Sequence, residues 1–343
     1  MNKLIVSTSP HLRRKRDTSA IMGDVLIALV PAAAAACIFF GFKALVMIAV
    51  CVGCAVASEF IFNLICKKKQ TVGDLSAIVT GLLLALSLPA TANIWHCIVG
   101  SVFAIIVVKC LFGGIGHNFA NPAITARVLL LVAFGDALTL SAVPNFAEIT
   151  SGATPLALIK SGFLSATPIR DAISAIIGGE ADFSILGEVL SECGESLLPM
   201  FLGNVGGAIG ETSALALIIG GIYLLVRRVI KWHTPVIYIG TVFVLSLIFK
   251  LDPYYALYQV LGGGLIMGAF FMATDYSTSP INDRGKMVFA LGCGIITFLI
   301  RVFGSYPEGV SFAILLMNIL APYIERITAK KPFGVGGKKH AKK

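Results

Sequence analysis

The chain has 343 residues, 57% of them apolar and 13% charged, with a mean hydropathy of +0.90. A soluble globular domain carries about a quarter charged residues, so this composition excludes that class and indicates an all-α polytopic membrane protein. The formal charge of +9 is no argument for a nucleic-acid partner, because the basic residues sit in short tracts beside apolar runs, as cytoplasmic anchors do.

The tract Arg13-Arg14-Lys15-Arg16 precedes the first apolar run, near Ile21. It has the flank of a secretory signal, but no small-residue cleavage site with a soluble domain behind it follows, so the run reads as a retained helix. Ten spans of about 20 residues or somewhat fewer are predicted at 21–41, 45–66, 74–90, 94–112, 122–141, 210–227, 234–249, 257–273, 287–303 and 310–328. Residues 1–20 are then a basic cytoplasmic N-terminus, 21–141 a first group of five helices, and 142–196 an external loop. Residues 197–328 hold an interrupted segment and a second group of five, and 329–343 form a basic cytoplasmic tail. The charges fit this order: Lys67-Lys68-Lys69, Arg127, Arg227-Arg228, Lys231, Arg284, Lys286 and the C-terminal lysines fall inside, whereas Lys43, Lys160, Arg170 and Lys250 fall outside.

The 142–196 loop holds seven acidic residues against Lys160 and Arg170, and it divides five spans from five. Five is odd, so a duplicated half would enter the membrane upside down, and an inverted repeat is expected. Gly100, Lys109 and Leu111 recur at one constant offset as Gly292, Arg301 and Phe303. Cys51 and Cys54 have the spacing of a redox or metal pair, but they share one apolar helix with no second pair nearby; they are expected to pack, and no metal site is predicted.

Three polar interruptions carry the case for an internal site. They are Gly113 to Pro122, which contains Asn118 and Asn121, Asp275 to Arg284, which contains Ser277 and Thr278, and Leu202 to Gly207. Broken backbone at membrane depth needs partners for its freed N–H and C=O groups, and is tolerated where it lines a cavity or meets a bound group. Gly262-Gly263-Gly264 and Gly268 permit close approach of another helix or of a planar ring, helix packing being the commoner use. Glu59, followed by Asn63 on one helical face, and Glu211 are the ionisable groups that an ion path would use.

The tetrad Ser151-Gly152-Ala153-Thr154 lies in the external acidic segment. Gly152 and Ala153 leave the Thr154 hydroxyl accessible, and Pro155 biases Thr154 toward extended backbone, away from a helix interior. Taken alone, such a threonine reads as part of a turn.

Several segments together resemble the D subunit of the Rnf complex, an ion-translocating ferredoxin:NAD oxidoreductase, and its homologue the B subunit of the sodium-translocating NADH:quinone reductase. They are the basic N-terminus through Ser9-Pro10-His11, GDLSAIVTGLLLALSLP from Gly73, GHNFANPA from Gly116, SGAT, and MATDYSTSP from Met272. The resemblance implies FMN joined by a phosphoester to Thr154, placed there by a flavin transferase. It also implies a second, noncovalent flavin, riboflavin or FMN, for which Asn118, Asn121, Asp275, Ser277 and Thr278 are the candidates. Lys160 or Arg170 is expected as a counter-charge near the external flavin.

The function so implied is that of a flavin-bearing subunit, inactive alone, in a bacterial cytoplasmic-membrane complex. It passes electrons between ferredoxin and NAD and couples this to sodium or proton export. The implied partners are the A, B, C, E and G subunits of Rnf, including the membrane iron-sulfur pair and the external flavin protein. No GxGxxG segment follows a strand, so NAD itself is expected on a soluble partner. The alternative is a stand-alone small-solute or ion channel, since a five-plus-five inverted repeat resembles the urea and ammonia channels and fold alone does not assign redox work. A purely structural scaffold is the third reading.

Overall fold

The computed structural model describes residues 17–135, 138, 141–143, 150–152, 154–160, 197–306 and 308–329. The first helix, α1 (Thr18–Ile65), has 48 residues. A straight helix of that length would extend roughly 72 Å, more than twice the hydrocarbon thickness. It does not run straight, because Gly41 adopts φ 64 and ψ −147 and breaks it in two. No atom would meet a Cβ there, so the backbone conformation alone calls for glycine. The two segments match the spans expected at 21–41 and 45–66.

Next comes α2 (Ser76–Ser87), almost wholly buried. Pro89 forces Leu88 out of helical geometry. The carbonyls so freed are taken up across the molecule: Gly210 N donates to Leu86 O at 2.8 Å and Ile209 N to Leu88 O at 3.0 Å. α3 (Ile94–Val102) runs into a π-helical stretch, Phe103–Cys110. α4 (Pro122–Ala133) starts at Asn121, whose Oδ1 accepts from Ala123 N at 3.0 Å, with Pro122 in the first turn. It stops short of the expected residue 141, because Phe134 leaves the helical region and Gly135 follows.

Strands β1 (Ser141–Val143) and β2 (Thr150–Gly152) pair antiparallel. Among the described residues this short hairpin accompanies an otherwise helical architecture. A six-residue helix, α5 (Pro155–Lys160), follows. Beyond it lie α6 (Ala214–Val226), α7 (His233–Lys250), α8 (Pro253–Leu261) and α9 (Leu265–Met267), the last continuing as a π-turn to Met272. The bend between α8 and α9 is 65°. α10 (Asp283–Phe303) and α11 (Val310–Thr328) complete the described chain.

By length and composition, four of the described helices can cross a membrane, or five if the bent α8–α9 pair is one span. α2 and α4, at 12 residues each, rise only about 18 Å. Each remaining predicted span still contains a shorter apolar helix, and polar caps at Asn121 and Ser213 start two of them. Polar breaks are tolerated at depth where protein covers them. The chain is a multi-pass membrane protein. Its interior is filled by Leu29, Met47, Leu84, Ile124, Leu217 and Phe289. Phe42, Ile65, Val226, Phe303 and Ile327 point outward, as a lipid-facing surface requires.

Candidate functional site

Thr154 sits between β2 and α5 and acts as a cap, its Oγ1 accepting from Ala157 N at 3.2 Å. The short helix it starts is anchored at two points. Leu156 packs with Met200, Tyr254 and Tyr258, and Lys160 Nζ donates to the carbonyls of Gly304 and Tyr306, the latter at 2.9 Å. Lys160 is therefore committed to backbone near the site, while Arg170 and Ala153 lie outside the described residues. Ser151 and Gly152 are strand residues opposite Ala142 and Ser141.

The half-buried Thr154 lines a cavity of about 680 Å³, part of it open to the surface, and a smaller adjoining one. Tyr306 and Phe312, stacked at 5.4 Å, form one wall. A charge cluster forms the floor. Arg127 from α4 pairs with Glu211 and, through Nη2 at 2.6 Å, with Glu308, which also accepts from Gly264 N at 3.1 Å. Burial alone would push the Glu308 carboxyl up, but the facing Arg127 and Arg301 charges outweigh it and hold the group below its ordinary value. Arg301 donates to the Gln259 and Gly262 carbonyls and so satisfies the broken end of α8.

The glycine triplet makes this cluster possible. Gly263 adopts φ 65, and a Cβ on it would strike Glu308 Oε1; one on Gly264 would strike Glu211 Oε1. Gly268 serves the expected helix packing, against Val310. Gly264→Ala is predicted to cost about 1–3 kcal/mol, as overpacking does, seen as a lower unfolding temperature in detergent; an unchanged temperature would contradict the close approach.

A second cavity, of about 760 Å³ and also partly open, gathers Asn118, Asn121, Asp275 and Ser277 from the two polar interruptions. Phe270, Phe271 and Tyr276 add aromatic wall. Asn121 is largely spent on capping α4, and its Nδ2 reaches Met272 O at 3.5 Å. Asp275 accepts from Ser277 N at 3.2 Å, Ser277 Oγ at 2.9 Å and Thr278 Oγ1 at 3.2 Å. Thr278 thus supports Asp275 without lining the cavity. Burial pushes the Asp275 carboxyl up, against these hydrogen bonds. Asn118 Oδ1 is buried and has no partner.

The cavities lie back to back. α2 gives Leu83 to the second and Ser87 to the first, and α4 begins with Pro122 at the second and places Arg127 and Leu131 at the first. Leu83 and Ser87, and likewise Pro122 and Arg127, are separated by roughly 6–8 Å of helical rise.

By its sequence neighbours Arg127 is an internal topogenic charge; in the structure its side chain is paired with two carboxylates. Glu211 and Glu308 lie 84 and 181 residues from it in sequence. Glu59 likewise pairs with Lys109 at 2.8 Å, both fully buried. Sequence spacing carries no signal for these pairings, although an isolated charge within an apolar run is itself a reason to look for a partner.

Residues 5–334 match the family model described as the NQR2, RnfD, RnfE family. This chain belongs to the NQR2, RnfD, RnfE family. The family member is 44% identical over 334 residues to the D subunit of the Na(+)-translocating ferredoxin:NAD(+) oxidoreductase complex of Acetobacterium woodii, covering 97% of this chain and 96% of that protein. It is 38% identical to the D subunit of the proton-translocating ferredoxin:NAD(+) oxidoreductase complex of Clostridium ljungdahlii, covering 97% of each. To the D subunit of the ion-translocating oxidoreductase complex of Stutzerimonas stutzeri it is 39% identical, covering 92% of this chain and 91% of that one. Relatives of this NQR2, RnfD, RnfE family member are thus named for different ions over nearly the same length.

Proposed function

We propose that this chain is the flavin-bearing membrane component, the D subunit, of an ion-translocating ferredoxin:NAD oxidoreductase in the bacterial cytoplasmic membrane. It carries FMN as a phosphoester on Thr154 and works only within its complex, coupling electron transfer to export of sodium ions or protons. The observation that carries the reading is the placement of the Thr154 hydroxyl on an open cavity with an aromatic wall and a charged floor. An open concave site with an aromatic wall and few, placed polar groups suits a flat amphipathic ring, and Thr154 supplies the oxygen that an ester needs. The second cavity fits a noncovalent flavin, because the orphaned Asn118 Oδ1 can accept from a ring N–H while Phe270, Phe271 and Tyr276 offer apolar contact.

A bound flavin supplies one- and two-electron carriage. The chain's own part is geometric and electrostatic. Arg127, locked by two carboxylates, fixes the floor of one cavity, and α2 and α4 hold both cavities at a fixed short separation. The A, B, C, E and G subunits of Rnf, and the transferase that attaches the flavin, belong to this proposal. So do the cytoplasmic termini and the ten-helix, five-plus-five inverted arrangement. Support for the repeat comes from matched positions: Lys109 and Arg301 are both buried cations that reach the end of another helix, Ser76 of α2 and Gly262 after α8. Gly100 admits Leu130 of α4, as Gly292 admits Met317 of α11. The channel alternative is weakened because Glu59 and Glu211, the groups it would use, are both held by buried cations.

Membranes from a strain lacking this chain are expected to lose ferredoxin-dependent NAD reduction, and to regain it with the wild-type chain but not with Thr154→Ala. Full activity in the deletion strain, or with Thr154→Ala, contradicts the proposal.

A further inference from the structure

A third cavity, of about 710 Å³ and partly open, lies beside the Lys67–Lys69 tract. Its walls include Glu59, Asn63, Thr71, Asp74 and Lys109. Lys109 and Ile115 belong to this vestibule and to the Asn118–Asp275 cavity alike, so their side chains form the partition between the two.

Across that partition runs a continuous chain of side-chain hydrogen bonds. Asn63 Nδ2 donates to Thr71 Oγ1 at 3.0 Å, and Thr71 Oγ1 donates to Glu59 Oε1 at 2.5 Å. Lys109 Nζ donates to Glu59 Oε1 at 2.8 Å and to Ser76 Oγ at 2.7 Å, and Ser76 lines the Asn118–Asp275 cavity. Two features make the chain more than a buried ion pair. Glu59 is 1% exposed, yet its Oε2 is buried without a partner. An ammonium carries three N–H donors, and the two bonds of Lys109 leave one over on a side chain that borders the cavity.

We propose that Glu59 and Lys109 relay protons from the vestibule to the redox group held in the Asn118–Asp275 cavity. The inference rests on reading that cavity as a flavin site. With each electron delivered by the upstream carrier of the complex, one proton leaves the Lys109 ammonium for the reduced ring. The Glu59 carboxylate then takes a proton at Oε1 from the hydroxyl of Thr71 and passes it to the neutral amine, while the exposed Thr71 recovers a proton from vestibule water. The balance is one electron from the carrier and one proton from the vestibule, with all three side chains restored. Other titratable groups on these walls are Lys68, Lys69, Asp74 and Cys110 on the vestibule side and Asp275 and Tyr276 on the other. None of them contributes to the two cavities at once.

The test uses the full chain carrying Thr154→Ala, so that any flavin present is the noncovalent one. The chain is mixed rapidly with dithionite and flavin absorbance is followed across pH. Glu59→Gln is expected to slow the proton-dependent phase by roughly 10²-fold, the scale of a lost general acid, with flavin content retained. Acetate, a small weak acid able to enter the vestibule, is expected to restore part of the rate.

Lys109→Arg is the sharper variant, since it keeps the charge and the pairing to Glu59 but a guanidinium does not give up its proton; it too should be slow. Wild-type rates in Lys109→Arg would reduce the role to charge alone and overturn the relay, as would an unaltered rate in Glu59→Gln. If Glu59→Gln fails to fold because Lys109 is left unpaired, the double variant Glu59→Gln/Lys109→Met removes both charges and must show the same slow phase. A chain that holds no flavin at all removes the cavity reading itself, and the relay with it. Flavin bound normally with unaltered rates removes only the relay.

Discussion

Thr154→Ala is expected to abolish covalent flavin completely while leaving the helical fold in place. The phosphoester has a single possible oxygen on this side chain, so alanine removes the linkage outright, whereas Thr154→Ser keeps a hydroxyl and should retain flavin at reduced occupancy. The structural cost is confined. Thr154 Oγ1 caps α5 through Ala157 N, and losing such a cap costs about 1 kcal/mol. α5 keeps its other anchors, Leu156 among Met200, Tyr254 and Tyr258, and Lys160 on the Gly304 and Tyr306 carbonyls. In-gel flavin fluorescence of the denatured chain reads the result. Fluorescence that survives in Thr154→Ala would move the attachment elsewhere.

Arg127→Met is expected to destabilise the protein by about 3–5 kcal/mol, the range for removing one partner of a buried pair. The side chains of Glu211 and Glu308 are 2% and 23% exposed. Glu308 can turn part of its charge to water, so most of the penalty falls on Glu211. Replacing all three charges, with Arg127→Met, Glu211→Gln and Glu308→Gln together, should recover much of the loss, because neutral groups of similar size can fill such a site at little net cost. Thermal unfolding in detergent distinguishes the two variants. A triple variant no more stable than Arg127→Met would mean that the arginine acts through packing and not through the pairing.

Hydropathy locates the helices because each is a run of apolar residues that must avoid water, and the caps at Asn121, Ser213 and Asp252 show why they begin where they do. It does not give their lengths. α4 ends at Ala133 because Phe134 leaves helical geometry, while the apolar run continues to the β1–β2 hairpin. The Asn118 and Asp275 interruptions are legible as broken backbone, and the fold brings both to one cavity. Thr278 is drawn in by its place in that motif, yet its hydroxyl is spent on Asp275.

What sequence hides is the pairing of distant charges. Lys109 and Glu59 lie 50 residues apart, and Arg127 and Glu308 lie 181 apart. Nothing in local periodicity links residues so far apart in the chain. For the same reason Arg127 reads by its neighbours as a topology signal, and its pairing with two carboxylates follows only from the fold. The triple glycine is legible as a site of close approach, but that the approaching groups are two carboxylates follows only from the fold.

The intact mass of the denatured chain, purified from cells that contain the flavin transferase, tests the central claim most directly. The chain is expected to carry the added mass of one FMN phosphoester, and digestion should place it on the peptide containing Thr154. An unmodified chain from such cells would contradict its assignment as a covalent flavin carrier.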